Sequence, residues 1–456
     1  MSEKKLSQSE LEALSAASKT AGDRLAYLFD EGKYTELMKF VTSKDSLSGV
    51  ITAFGFCGGV PVYAFSQDVS AKSGALTKEG AEKIQKLYDL AAETGAPVVG
   101  IFDSYGADVS DALTSLSAYG VLLLKSANVS GVVPTVSVVC GTCAGAAAML
   151  AVNADVVIVT KESELYVTPN SGIKDLAENA AKTGIAAIIA DDDKAAVEAA
   201  AKLLSKLPQN NLSPAPMYEY ADPTAAFGEG AAAQAEAVFD EGSVFELYQE
   251  FGGAAFTAFA TLFGASVGVA ASNKTADKLT PADASKLAGF VRMCDSFNIP
   301  VVTFVDTEGF ETDENGAVKA MAQLSHAYSE ATTVKLAVVT GKAYGSAFIS
   351  LAGKGADSDM TFALDSAVIS ALDPITAVEF LSHDKLAGAK DLAAERQALA
   401  DEYVKSECTA YAAAQSGAVD AVVTAAQLRE TLFSALGIME GKRAQRLPKK
   451  HSNIKL

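Results

Sequence analysis

The amino-acid sequence predicts an α/β fold built twice in tandem. Two observations predict it: short apolar runs alternate with helix-length segments, and the same motifs recur in order in each half. A third, a stretch rich in Pro, Gly and Ala at mid-chain, marks the join.

The repeat carries most weight. Phe29-Asp-Glu-Gly-Lys-Tyr-Thr-Glu-Leu37 returns as Phe239-Asp-Glu-Gly-Ser-Val-Phe-Glu-Leu247. Gly95-Ala-Pro-Val-Val-Gly-Ile-Phe-Asp103 returns as Asn298-Ile-Pro-Val-Val-Thr-Phe-Val-Asp306, each followed by a turn, Ser104-Tyr-Gly106 and Thr307-Glu-Gly309. Val138-Val-Cys-Gly-Thr-Cys-Ala-Gly-Ala-Ala147 returns as Val338-Val-Thr-Gly-Lys-Ala-Tyr-Gly-Ser-Ala347. The offset shrinks from 210 to 203 to 200 residues, as small deletions in a second copy would give. The join falls within 210–235, which carries Pro214, Pro216 and Pro223, and gives domains of 1–225 and 226–456.

Within the first copy the patterns place strands at Gly59–Ser66, Pro97–Phe102, Thr135–Val139 and Asp155–Thr160. Helices are expected at Lys78–Thr94, Val109–Ala127 and Ala144–Val152, and the second copy repeats the order. Residues 126–154 carry no charge, but Pro134, Asn153 and several Gly, Ser and Thr residues read as a buried strand and helix rather than a membrane span. The N-terminus runs into a charged amphipathic helix, not a signal sequence.

Net charge is −19 over 456 residues, which argues against nucleic acid and anionic membrane surfaces as partners. Five cysteines, an odd number, point to a reducing cytoplasm rather than a disulfide framework. Cys140-Gly-Thr-Cys143 has the spacing of a redox dithiol or half a zinc site. Its copy has Thr340 and Ala343 there and keeps both glycines, so the glycines rather than the sulfurs are expected to matter, and no metal site is expected. A turn after Val139, and again after Val339, starts a helix whose unpaired amides can face a developing oxyanion.

Several ordered motifs together resemble the carboxyltransferase subunits of biotin-dependent acyl-CoA carboxylases and decarboxylases. Gln67-Asp68 with Ser73-Gly-Ala-Leu76 is similar to that family's S-Q-D…G-G-S-L, and Phe102-Asp-Ser-Tyr-Gly-Ala107 to its N-D-S-G-G-A. Gly141-Thr-Cys-Ala-Gly145 is similar to G-P-C-A-G-G, Phe290-Val-Arg-Met-Cys-Asp-Ser-Phe-Asn-Ile-Pro300 to F-V-R-F-C-D-A-F-N-I-P, and Lys342-Ala-Tyr-Gly-Ser-Ala347 to K-A-Y-G-G-A. Leu204–Leu212 and the Leu447–Leu456 end extend the likeness over nearly the whole chain.

The resemblance implies two crotonase-like domains and transfer of a carboxyl group between biotin and the α-carbon of a short acyl-CoA. It implies an oxyanion hole for the thioester at the amides of Gly145 and Ala146, and one for the biotin ureido oxygen at Ser346 and Ala347. Ser73, Gly74, Ala75, Leu76, Ser104 and Gly106 fall on the CoA side; Gly309, Phe310, Tyr344 and Gly345 fall on the biotin side. It implies biotin borne by a separate carrier, since no E-A-M-K-M motif occurs and Leu37-Met-Lys-Phe40 is a poor imitation on an expected helix. Other implied partners are a biotin carboxylase or a membrane decarboxylase subunit. A dimer or hexamer is implied too, cytoplasmic or peripheral to a membrane complex.

The chain departs from the pattern at Asp108, where the family has a cation, and at Glu308, where it has proline. Those two carboxylates are the candidates for an alternative, a crotonase-like hydratase or isomerase without biotin. A non-catalytic scaffold subunit is the other alternative. His326, His383 and His451 lie outside both glycine turns.

Overall fold

A computed structural model describes residues 6–453 apart from 44–45, 169–173, 314, 355–357 and 445. The chain forms two compact units, one ending at Pro216 and the next beginning at Met217.

The first unit is built on a nine-stranded sheet. Tyr34–Leu37, Val50–Cys57 and Val60–Gln67 are antiparallel neighbours. Val60–Gln67 then pairs parallel with Val98–Ser104, which pairs with Thr135–Ala144, followed by Val156–Thr160 and Ile188–Ala190. The parallel strands show no polar alternation: Val98–Ser104 is buried at all seven positions. Helices cover such sheets on both faces, so the strands read as continuous apolar runs.

Two helices supply much of that cover. Lys78–Thr94 starts on the Thr77 side chain, which accepts from the Gly80 amide, and ends on left-handed Gly95. Its buried stripe of Ile84, Leu87, Tyr88 and Ala91 follows the helical repeat. Ile84 and Leu87, taken out of water, each contribute about 1.5–3 kcal/mol. Ala112–Val129 packs beside it.

The second unit repeats the plan on an eight-stranded sheet. Phe256–Leu262 and Ala265–Ala271 form the antiparallel pair, and Val301–Thr307, Lys335–Tyr344, Met360–Leu364 and Ala421–Val423 continue in parallel. It differs by a helical insertion, Pro374–Gln415, with its own small core of Val378, Leu386, Leu399 and Ala400.

Two expectations fail locally. Leu37–Phe40 is not helical, because Tyr34–Leu37 is an edge strand paired with Thr52–Gly55. The strands expected to end at Val139 and Val339 run on to Ala144 and Tyr344. Among the described residues, no helix is long and apolar enough to cross a membrane.

Candidate functional site

Each strand extension contains the same irregularity. Phe102 faces Val139 but Ser104 faces Cys143; Val305 faces Val339 but Thr307 faces Ala343. The extra residues bulge, and a carboxylate at the end of the neighbouring strand fills the space. Asp103 accepts the Thr142 amide in one unit; Asp306 Oδ1 accepts the Lys342 amide at 2.8 Å in the other. Gly141 and Gly341 pack on those carboxylates. A Cβ on Gly141 would lie 2.5 Å from Asp103 Oδ1, and one on Gly341 would overlap Asp306. The first glycine of each pair therefore makes room for a side chain rather than a turn. The second glycine makes the turn: Gly145 has φ +57° and Gly345 φ +52°, and a helix starts there.

The residues expected around the first turn come together. Leu76 N–H donates to Gly106 O at 2.8 Å and Asp108 N–H to Leu76 O at 3.0 Å, zipping 73–76 to 104–108. Ser104 Oγ accepts the Gly106 amide at 3.0 Å, which fixes a turn lying against Ala144. Gly74 has no alternative here, since a Cβ would overlap the Asp103 carbonyl. Lys72 and Ser73 beside it also hold positive φ, 51° and 55°, a strain that tends to collect at functional sites.

The second turn has the same frame. Lys278–Leu279 pairs with Gly309–Phe310, Thr307 Oγ1 accepts the Gly309 amide at 3.2 Å, and Glu311 N–H donates to Leu279 O at 2.9 Å. Gly309–Phe310 lies against the helix that starts at Gly345. Gly309, Phe310, Tyr344 and Gly345 therefore share one rim, as do Ser73–Leu76, Ser104, Gly106 and Gly145 in the first unit.

One expected donor is already used. Gly145 N–H donates to Tyr166 O at 3.0 Å, extending the pairing of Cys143–Ala144 with Leu165–Tyr166. The amides left at the helix start belong to Ala146 and Ala147, the sequence equivalents of Ser346 and Ala347. The correction brings the two units into register.

The side chains around the frames differ. Asp103 is held by Arg24 at 2.9 Å, and Arg24 Nε reaches the half-buried Asp193 at 2.7 Å, a network with no sequence motif to announce it. Burial still keeps the Asp103 carboxyl above its ordinary value, with Arg24 opposing. Asp306 instead accepts Asn273 Nδ2 at 2.6 Å. Near the first turn, Lys72 Nζ bonds Asp108 Oδ2 at 2.6 Å, and with Ser110 it holds that carboxyl down at about 2. Near the second, Lys342 Nζ bonds Glu308 Oε1 at 2.7 Å. Both departures from the motif are thus carboxylates tied to a lysine.

Cys140 and Cys143 are buried, and burial raises both thiols far above their ordinary value. A thiol so placed is a poor nucleophile and metal ligand. Among the described residues, no cluster of His, Cys, Asp and Glu is placed to hold a metal ion. His326 bonds Glu330 within its own helix.

Residues 13–454 match the carboxyl transferase domain. The chain belongs to that family. It is 34% identical to the methylmalonyl-CoA decarboxylase subunit alpha of Propionigenium modestum, over 96% of this chain and 93% of that one. It is 33% identical to the propionyl-CoA carboxylase carboxyltransferase subunit of Haloferax mediterranei, with the same coverage. Among solved structures it is similar to transcarboxylase 12S with methylmalonyl-coenzyme A and methylmalonic acid bound, at a TM-score of 0.89 and 30% identity, covering 98% of this chain and 95% of that one. A single-chain long-chain acyl-CoA carboxylase, 20% identical with a TM-score of 0.77, shares the fold. The carboxyl transferase family and its crotonase-like fold are thus shown for this chain, which is a carboxyltransferase.

Proposed function

We propose that this carboxyltransferase moves a carboxyl group between biotin on a separate carrier protein and the α-carbon of a short acyl-CoA, with each glycine turn serving one half of the reaction. The duplicated turn carries the reading. Carboxyl transfer to or from a thioester builds negative charge on two oxygens, one on the thioester and one on the ureido group. A chain with two equivalent sets of helix-start amides can meet both.

In the first unit the Ala146 and Ala147 amides take the thioester oxygen. The zipped segments at 73–76 and 104–106 hold the CoA, and small side chains at 144–147 allow close approach. In the second unit the Ser346 and Ala347 amides take the ureido oxygen, with Gly309, Phe310, Tyr344 and Gly345 around it. Carrier-borne biotin supplies a nitrogen that gives or accepts the carboxyl group and a base for the α-proton, so this chain needs no side-chain base. Asp108 and Glu308, both tied to lysines, agree with that. The reading includes a homo-oligomer, since transcarboxylase 12S is a hexamer. It also includes a biotin carboxylase or membrane decarboxylase subunit as a second partner.

The test mixes the protein with malonyl-, methylmalonyl- or glutaconyl-CoA, with and without free biotin, and follows loss of the carboxylated thioester. Loss that depends on biotin is expected. No loss with any of the three, or hydration of a 2-enoyl-CoA without biotin, contradicts the reading.

A further inference from the structure

The two turns share a backbone but not a charge pattern. At equivalent positions, 142 and 105 in the first unit are Thr and Tyr, whereas 342 and 308 in the second are Lys and Glu. The lysine and glutamate meet at 2.7 Å, with side chains 43% and 31% exposed, so a ligand can reach them and water can compete for them. Strand geometry places Lys342 two residues before Tyr344 and on the same side. Its charge is close enough to oppose the upward push that burial gives the Tyr344 phenol. Glu308 immediately precedes Gly309, whose amide is fixed by Thr307 Oγ1. The ion pair therefore lies on the rim of the second turn, on elements anchored by Asp306 and by the pairing of Lys278–Leu279 with Gly309–Phe310.

We propose that Lys342 is the receptor for the carboxylate carried into the second turn, and that Glu308 occupies it until that carboxylate arrives. This rests on the reading of the second unit as the ureido side. There the ligand cycles between two forms, one neutral and one bearing a carboxylate on the ureido nitrogen. A fixed cation favours the carboxylated form. Glu308 offsets that preference, because the ligand must displace one carboxylate to bind another. The pair so sets the balance between the two forms and prevents the anionic one from being held too tightly to react. A partly exposed pair suits such an exchange, since little desolvation is lost when the partners change. In the first unit the equivalent positions, Thr142 and Tyr105, carry no such ion pair.

The test uses two probes that differ by one charge: biotin methyl ester alkylated on the ureido nitrogen with a carboxymethyl group, and the same ester with an ethyl group. Binding of each is measured by titration calorimetry on wild type, K342Q and E308Q. In E308Q the carboxymethyl probe should bind several-fold more tightly with the ethyl probe unchanged. In K342Q the carboxymethyl probe should lose about tenfold, again with the ethyl probe unchanged. Equal changes for both probes, or weaker carboxymethyl binding in E308Q, would overturn the assignment. If wild type binds neither probe, the ureido-side reading falls with it. If wild type binds both and the variants do not discriminate, only the role of the pair falls. Thermal melts of the variants guard against misfolding, and K342R should restore the wild-type preference.

Discussion

The glycine turns at 141–147 and 341–347 have one backbone and two surroundings. Both use an aspartate at a strand end to fill a bulge in the next strand, and both start a helix on a left-handed glycine. The first is braced by the Arg24–Asp103–Asp193 network; the second by Asn273 and by a partly exposed ion pair at its rim. Duplication kept the geometry that places amides and changed the side chains around it. What the two turns share is framework, and where they differ is in the side chains around it.

The largest expected effect tests the bracing. Gly141→Ala forces Asp103 away from Arg24, leaving a buried charge without its partner, and should cost about 3–5 kcal/mol. Gly341→Ala displaces Asp306 from an amide hydrogen bond and should cost less, about 1–3 kcal/mol. Urea denaturation would show the order, and equal losses would mean that the bracing networks are equivalent.

Next come the amides themselves. Ala146→Pro and Ser346→Pro each remove one helix-start N–H where proline is tolerated, and each follows a glycine. Either should slow biotin-dependent decarboxylation of malonyl-CoA by about 100- to 1000-fold, with the melting temperature little changed. A variant that folds and keeps full activity would remove its turn from the mechanism.

The smallest effect tests a shared feature. Lys83 and Lys286 occupy equivalent positions in the two units, and both are buried. Lys83 Nζ donates to Val50 O; Lys286 Nζ donates to Tyr248 O and Ala255 O at 2.8 Å each. Burial lowers both to about 8. In the unfolded chain they titrate near ~10.4. Between those values the folded chain binds fewer protons, so their contribution to stability rises with pH from about 8 to 10.5 and is flat below. Wild type should gain on the Lys83→Met/Lys286→Met double variant across that window in urea titrations. A constant difference would show the ammonium groups to be unperturbed.

Much of this was legible in the sequence. The repeat gave the two units and their strand order, and the helix Lys78–Thr94 was found to the residue. Ser73–Leu76 and Ser104–Gly106 were legible as short contiguous motifs, and they do lie side by side. The strand extensions were not. Glycine pairs look like turns, and only the neighbouring aspartate, nearly forty residues away in sequence, shows that Gly141 and Gly341 leave space for a carboxylate. The use of the Gly145 amide by Tyr166 was hidden for the same reason. Arg24 carries no motif at all, and Glu308 and Lys342 stood in the sequence as a departure and a match with nothing to pair them.

The division of labour between the turns is tested most directly by infrared difference spectroscopy of bound carbonyls. Propionyl-CoA labelled at the thioester carbon and biotin methyl ester labelled at the ureido carbon are each bound to wild type, Ala146→Pro and Ser346→Pro. The thioester carbonyl stretch should fall in frequency on wild type and Ser346→Pro but not on Ala146→Pro. The ureido stretch should fall on wild type and Ala146→Pro but not on Ser346→Pro. Loss of both shifts in one variant, or the opposite crossing, would contradict the assignment of the thioester to the first turn and the ureido group to the second.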